Sequence, residues 1–93
     1  FNAPAALDKY VLIAKAMNAY DDLMSPEEAA KAAVEAVRQL SIRVGIPQHL
    51  SELGIKEEDL PRLAKAAAAD VCTPGNPREV SENDLLELYK KAY

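Results

Sequence analysis

One cysteine and one histidine occur among 93 residues, and that scarcity removes most catalytic designs at once. A metal centre draws on three or more converging His, Cys, Asp or Glu ligands, and a thiol nucleophile needs a base beside it. Glycine is nearly as rare: Gly45, Gly54 and Gly75 are too few and too far apart for the phosphate loops GxGxxG or GxxxxGK[ST]. Tryptophan is absent and aromatics make up only 5%, which together with so little glycine favours helix over sheet. Positive charge is in deficit, with 11 Lys and Arg against 15 Asp and Glu and a net charge of −4. That balance, without a basic stripe, excludes a nucleic-acid backbone as partner. No apolar run approaches the roughly 20 residues that cross a bilayer, which excludes a membrane span. Cys72 has no second cysteine to pair with, which fits a reducing, cytoplasmic setting, and the opening residues lack the pattern of a signal peptide.

What is present is helix-forming sequence. Much of the 49% hydrophobic content is alanine, which favours helix while burying little area, so the core is expected to be thin. Runs such as EEAAKAAVEAV and RLAKAAAADV place the chain in the all-α class, and its length sets a ceiling of one small domain. The periodicity predicts a first helix over about Ala5 to Met17, with Leu7, Tyr10, Val11, Ala14 and Met17 on one face. Ser25, Pro26 and Glu28 form a capping-box signal for a second helix. Its apolar set is Ala29, Ala33, Val37, Leu40 and Val44, with Gly45 and Pro47 as the stop. IPQHLSELGI reads as a single helical turn closed by Gly54. Lys56 to Asp70 reads as a third helix with a buried stripe of Leu60, Leu63, Ala64, Ala67 and Val71. CTPGNPREV is a shaped loop that no regular element absorbs. Ser81, with Asp84 three residues on, caps a last helix carried by Leu85, Leu86, Leu88 and Tyr89. The expected architecture is a helical bundle of about four helices plus one short turn.

Few side chains invite chemistry. His49 and Glu52 stand at i, i+3, the one spacing that hints at two metal ligands, but a loop histidine making a local hydrogen bond explains it more simply. The carboxylates of EEAA and EED occupy first helical turns, where they complement the dipole and face solvent. Cys72 could draw a base only from His49, in a different loop; a small apolar wall residue is the plainer role. Tyr89 and Tyr93 read as packing residues with solvated hydroxyls. No catalytic, metal-ligating or cofactor-binding residue is assigned within these 93 residues. FNAPAALDKY begins without methionine and on a bulky apolar residue, which reads as the start of an excerpt from a longer chain.

Three strings together carry a resemblance: FNAPAALDKY, the stretch from VGIPQHLSELGI through EEDLP to DVCTPGNPREV, and SENDLLELYKKAY. In order and spacing they resemble the C-terminal region of the iron-type (group III) metal-dependent alcohol dehydrogenases, over the whole chain. The most specific elements are GIP-x-x-L-x-E-L-G-I at Gly45 to Ile55, E-x-D-L-P at Glu57 to Pro61, and Asn76-Pro77-Arg78.

The resemblance implies a two-domain enzyme, with an N-terminal domain binding NAD(P) and a helical domain of the dehydroquinate synthase-like type. Iron, or another divalent ion such as zinc, is held between them by one Asp and three His. Residues 1–93 are then expected to be the C-terminal part of the helical domain, with the nucleotide-binding domain and all four ligands elsewhere. The metal would polarise a carbonyl or alkoxide while the nicotinamide exchanges hydride with a primary alcohol or aldehyde. By the same resemblance, Cys72 matches a residue on the wall of the substrate pocket, contributing shape and no chemistry. Asn76, Pro77 and Arg78 fix the loop, with Pro74 adding rigidity. The implied partners are the remainder of the dehydrogenase chain and a small alcohol or aldehyde, in a homo-oligomer. The 93-residue chain alone is expected to be inactive and to bind no cofactor. An alternative is a free-standing helical interaction module derived from such an enzyme.

Overall fold

The computed structural model describes residues 1–93. It holds four α-helices and no strand: α1 (Leu7–Ala16), α2 (Pro26–Arg43), α3 (Leu60–Ala68) and α4 (Glu82–Ala92). The chain divides into two compact units, Phe1–Ile46 and Pro47–Tyr93, and each is a pair of packed helices. The all-α reading holds, with short 3-10 turns at Ala3–Ala5, Leu50–Leu53, Glu57–Asp59 and Thr73–Gly75.

In the first unit, a 3-10 turn containing Pro4 precedes α1, so the helix proper starts at Leu7 and not at Ala5. It ends on Asn18, which adopts φ 55°, a left-handed conformation that Asn tolerates better than most residues. Asn18 N–H donates to the carbonyl of Lys15 at 3.1 Å and Ala19 N–H to that of Ala14 at 2.8 Å, the paired bonds of a Schellman ending. At the head of α2, Ser25 N–H donates to Glu28 Oε2 at 2.8 Å and Glu28 N–H to Ser25 Oγ at 3.2 Å, as the capping-box signal predicts. Gly45, at φ +80°, closes α2 in the same manner as Asn18 closes α1: its N–H donates to Ile42 and that of Ile46 to Ser41.

The seam between α1 and α2 is built of alanine. Ala14, Ala29 and Ala33 are fully buried, with Tyr10, Val11, Tyr20 and Met24 packed around them. Side chains this small let two helix backbones approach closely. The apolar set along α2 is buried only in its first half. Val37, Leu40 and Val44 are 48%, 40% and 64% exposed, because α1 has 10 residues and α2 has 18. At 1.5 Å per residue these lengths are about 15 and 27 Å, so α1 has nothing to lay against the far end.

In the second unit, Leu50–Leu53 forms the expected single turn, closed by Gly54 at φ +78°, and Ser51 Oγ donates to the Tyr93 carbonyl at 2.9 Å. The predicted third helix begins later than Lys56. Pro61 has no N–H to give the carbonyl of Glu57, as an α-helix starting there requires. That carbonyl is taken instead by Leu60 N–H in a 3-10 bond, and α3 starts at Leu60. Leu60 and Ala64 form the buried side of α3, and Leu85, Leu86, Leu88 and Tyr89 of α4 are half-buried. Val71, placed by periodicity in the α3 stripe, is 92% exposed, because α3 ends at Ala68 and the chain has already turned.

Candidate functional site

In the segment from Asp70 to Ser81, side chains and not helix periodicity shape the backbone. The segment starts where α3 runs out of partners for its last carbonyls. The Thr73 hydroxyl reaches back to the Ala67 carbonyl at 2.6 Å, and Asp70 N–H makes a second bond to the same oxygen at 3.2 Å. Asp70 Oδ1 then accepts the backbone N–H of Cys72 at 2.7 Å, a side chain standing in for a backbone turn as Asp readily does. Thr73 N–H donates to the Asp70 carbonyl at 3.1 Å, and Gly75 and Asn76 N–H groups donate to Cys72 and Thr73, closing the turn Thr73–Gly75. Asn76 Nδ2 donates to the Arg78 carbonyl at 2.7 Å, which holds the Asn76-Pro77-Arg78 corner in shape.

Cys72 is exposed and its thiol is free. Two recesses flank the turn, and Thr73 lines both. The larger, about 890 Å³, is polar at its far side, where Arg78, Ser81 and Asp84 contribute. The smaller, about 350 Å³, is bounded by Leu63, Ala67, Asp70 and Tyr89. At the entrance to α4, Ser81 N–H donates to Asp84 Oδ2 at 2.9 Å and Asp84 N–H to Ser81 Oγ at 3.1 Å. These bonds hold the Asp84 carboxyl below the usual carboxylate range, the Ser81 backbone N–H first and its hydroxyl second.

His49 and Cys72 lie in separate loops, and the structure gives them no shared hydrogen bond. The i, i+3 spacing of His49 and Glu52 has a backbone explanation: Glu52 Oε1 accepts the N–H groups of His49 at 2.8 Å and Gln48 at 3.1 Å. That carboxylate is committed to a turn. No three His, Cys, Asp or Glu side chains gather anywhere in the chain. The donor set therefore does not fit a divalent ion, and the three glycines form neither a GxGxxG nor a GxxxxGK[ST] loop. The ion pairs join residues no more than three positions apart at the surface. Arg38 grips Glu35 through Nε at 2.8 Å and Nη2 at 2.7 Å, and with Gln39 it lowers the Glu35 carboxyl to about 2. Arg62 and the Lys56 N–H lower Asp59 in the same way.

Sequence periodicity missed Asp70 and Thr73, which it absorbed into the end of the third helix and the loop. The signal was available: an Asp and a Thr flanking a two-residue step before Pro-Gly is a side-chain-stabilised turn pattern.

A family profile described as "Fe-containing alcohol dehydrogenase family, C-terminal" matches residues 1–93. Over 93 residues, the whole of this chain and 24% of the relative, the chain is 50% identical to lactaldehyde reductase of Escherichia coli (strain K12). It is 38% identical to 1,3-propanediol dehydrogenase of Citrobacter freundii over the same shares. Among solved structures, a 1,3-propanediol oxidoreductase superposes on 99% of the chain with a TM-score of 0.95 at 36% identity. An alcohol dehydrogenase from Oenococcus oeni does so with a TM-score of 0.93 at 32% identity. In each case the chain spans about a quarter of the other protein's length, 24%.

Proposed function

Since this chain belongs to the iron-containing alcohol dehydrogenase family, as its C-terminal region, we propose that it serves as one wall of the substrate cleft in an NAD(P)-dependent, metal-dependent alcohol dehydrogenase. The observation that carries this reading is the unbroken match of all 93 residues to a segment that makes up 24% of dehydrogenases acting, by their names, on small alcohols and aldehydes. The reaction is hydride exchange between a nicotinamide and a primary alcohol or aldehyde. The metal ligands belong to the remaining three quarters of such an enzyme, since no group of donors here fits a metal ion, and in this reading the nucleotide site lies there too.

Within that division of labour, the residues of this chain shape and exclude. Cys72, exposed on a turn tied down at both ends, is a wall residue facing material that this chain does not contain. Its short side chain leaves room where a longer one would intrude. Val37, Leu40, Val44, Leu23 and Val71 stand exposed, and the rest of the dehydrogenase is the surface that covers such apolar groups. The complete enzyme is a homo-oligomer in this reading.

The test is an assay of purified protein with NAD⁺ or NADP⁺, Fe²⁺ or Zn²⁺ and a short primary alcohol. The 93-residue chain is expected to give no turnover, while the uncut protein carrying it oxidises the alcohol. Turnover by the 93 residues alone, or none by the uncut protein, removes the proposal.

A further inference from the structure

A groove of about 450 Å³ lies between α2 and the first residues of the chain, wholly inside the Phe1–Ile46 unit. Its apolar lining comes from Ala3 and Pro4 in the first 3-10 turn, Leu7 at the head of α1, and Ala30 and Val34 on α2. Glu27, Lys31 and Glu35 stand beside it on α2, spaced four residues apart on one face of the helix. From Glu27 to Glu35, at 1.5 Å per residue, the groove follows α2 for about 12 Å, a little over two helical turns. Ala30 is 3% exposed while Val34 is 52% exposed. The small side chain at the floor lets a neighbouring backbone come close, and the valine is left as a wall half open to water. An apolar trough edged by charge on one side is the shape that receives the apolar face of an amphipathic helix.

The start of the chain bears on what fills it. Ala3 and Pro4 follow Phe1 by two and three positions, so chain that precedes Phe1 departs from the rim of the groove itself. The 93 residues match the C-terminal region of the family and span 24% of two of its dehydrogenases. The other three quarters of such a protein therefore enters through Phe1. Connections between helices run to about 2–8 residues, and a tether that short holds the element before Phe1 beside the groove at high effective concentration.

We propose that this groove is the seat of the segment immediately preceding Phe1 in the uncut protein, docked as an amphipathic helix on Pro4, Leu7, Ala30 and Val34. The proposal rests on the reading of this chain as the end of a longer dehydrogenase, and it assigns one cover to one surface: this segment to the groove at the head of α2. The helix lays its apolar side chains into the trough and carries its polar ones past Glu27 and Lys31. Docking there joins the preceding chain to the α1–α2 pair, so the pair is clamped from the side on which the chain enters.

The experiment uses the uncut protein with p-benzoylphenylalanine in place of Val34, irradiated, digested and mapped by mass spectrometry. Cross-links are expected within one chain, at monomer mass, and to fall within about 25 residues before Phe1, the length of one ordinary helix and its connection. Cross-links to a more distant part of the same chain, to a second copy at dimer mass, or to no protein at all each overturn the proposal. The same probe in place of Lys31, exposed at the edge of the groove, carries the same map if the Val34 variant fails to fold. Turnover of a primary alcohol by the probe-free protein separates the two readings. An active dehydrogenase whose cross-links fall elsewhere overturns the docked segment and leaves the dehydrogenase reading standing; an inactive one overturns that reading and, with it, the premise of this proposal.

Discussion

Ser81 and Asp84 exchange hydrogen bonds across the first turn of α4: the Ser81 N–H and hydroxyl both donate to Asp84 Oδ2, at 2.9 and 2.7 Å, while the Asp84 N–H donates to Ser81 Oγ at 3.1 Å. The carboxylate form of Asp84 is the one these donors favour, so its titration in the folded chain lies below that in the unfolded chain. The resulting stabilisation is complete above the ordinary carboxylate value, about 3.9, and is lost as pH falls through the lowered folded value. Ser81→Ala removes the hydroxyl and keeps the backbone donor. The Asp84 carboxyl is expected to rise toward the ordinary value without reaching it, followed by carboxyl-carbon NMR across an acid titration. An unchanged midpoint contradicts the assignment.

Ser25 and Glu28 make the corresponding box on α2. Ser25→Ala leaves the Glu28 N–H without its side-chain acceptor and is expected to cost about 1 kcal/mol. In a chain of this size that is a fall of roughly 4–8 °C in the thermal midpoint. Ser25→Asp, which keeps an acceptor oxygen, should stay near the parent. Circular dichroism melts of the three proteins decide it, and an equal loss in both variants speaks against a capping role.

The alanine seam permits a sharper test. Ala33 is 1% exposed and Ala14 is fully buried, so Ala33→Leu has no space to enter without parting α1 from α2, an overpacking cost of about 1–3 kcal/mol. Ala16, exposed at the end of α1, is the control, and Ala16→Leu should fall within about 0.5 kcal/mol of the parent. Denaturant unfolding of both variants reads the difference, and a neutral Ala33→Leu shows the seam to be loose.

These contrasts mark where sequence is an adequate guide. Caps were legible because they are local chemistry: Ser25 with Glu28, Ser81 with Asp84, and Gly45 as a stop all depend on residues within a few positions of one another. Pro61 shows how one residue shifts a boundary, since its missing N–H turns the predicted first turn of the third helix into 3-10 geometry. Periodicity failed at Val71, and left the burial of Val37, Leu40 and Val44 undecided, for a different reason. It identifies which residues share a face, but whether that face is covered depends on the length of the neighbouring helix and on where the chain turns. At the loop, the Asn76-Pro77-Arg78 corner was visible in composition. The roles of Asp70 and Thr73 were not, because their partners, Cys72 N–H and the Ala67 carbonyl, are backbone atoms common to every residue.

The exposed half of α2 yields the last prediction. In the 93-residue chain, Val37 and Val44 are roughly half and two-thirds exposed, at 48% and 64%, so Val37→Ser and Val44→Ser remove little buried area and should each change stability by less than about 0.5 kcal/mol. In the uncut dehydrogenase proposed above, the same side chains meet a covering surface, and each substitution should cost about 1.5–3 kcal/mol, the burial worth of a valine-sized group. The uncovered row also predicts that the 93-residue chain self-associates at high concentration, since a second molecule is the nearest substitute for the missing cover. Sedimentation velocity should therefore show a concentration-dependent rise above monomer mass that the Val37→Ser/Val44→Ser double variant weakens. A monodisperse monomer with a sharp thermal transition, together with equal costs in the short and uncut chains, would mean that α2 is finished as it stands and needs no covering partner.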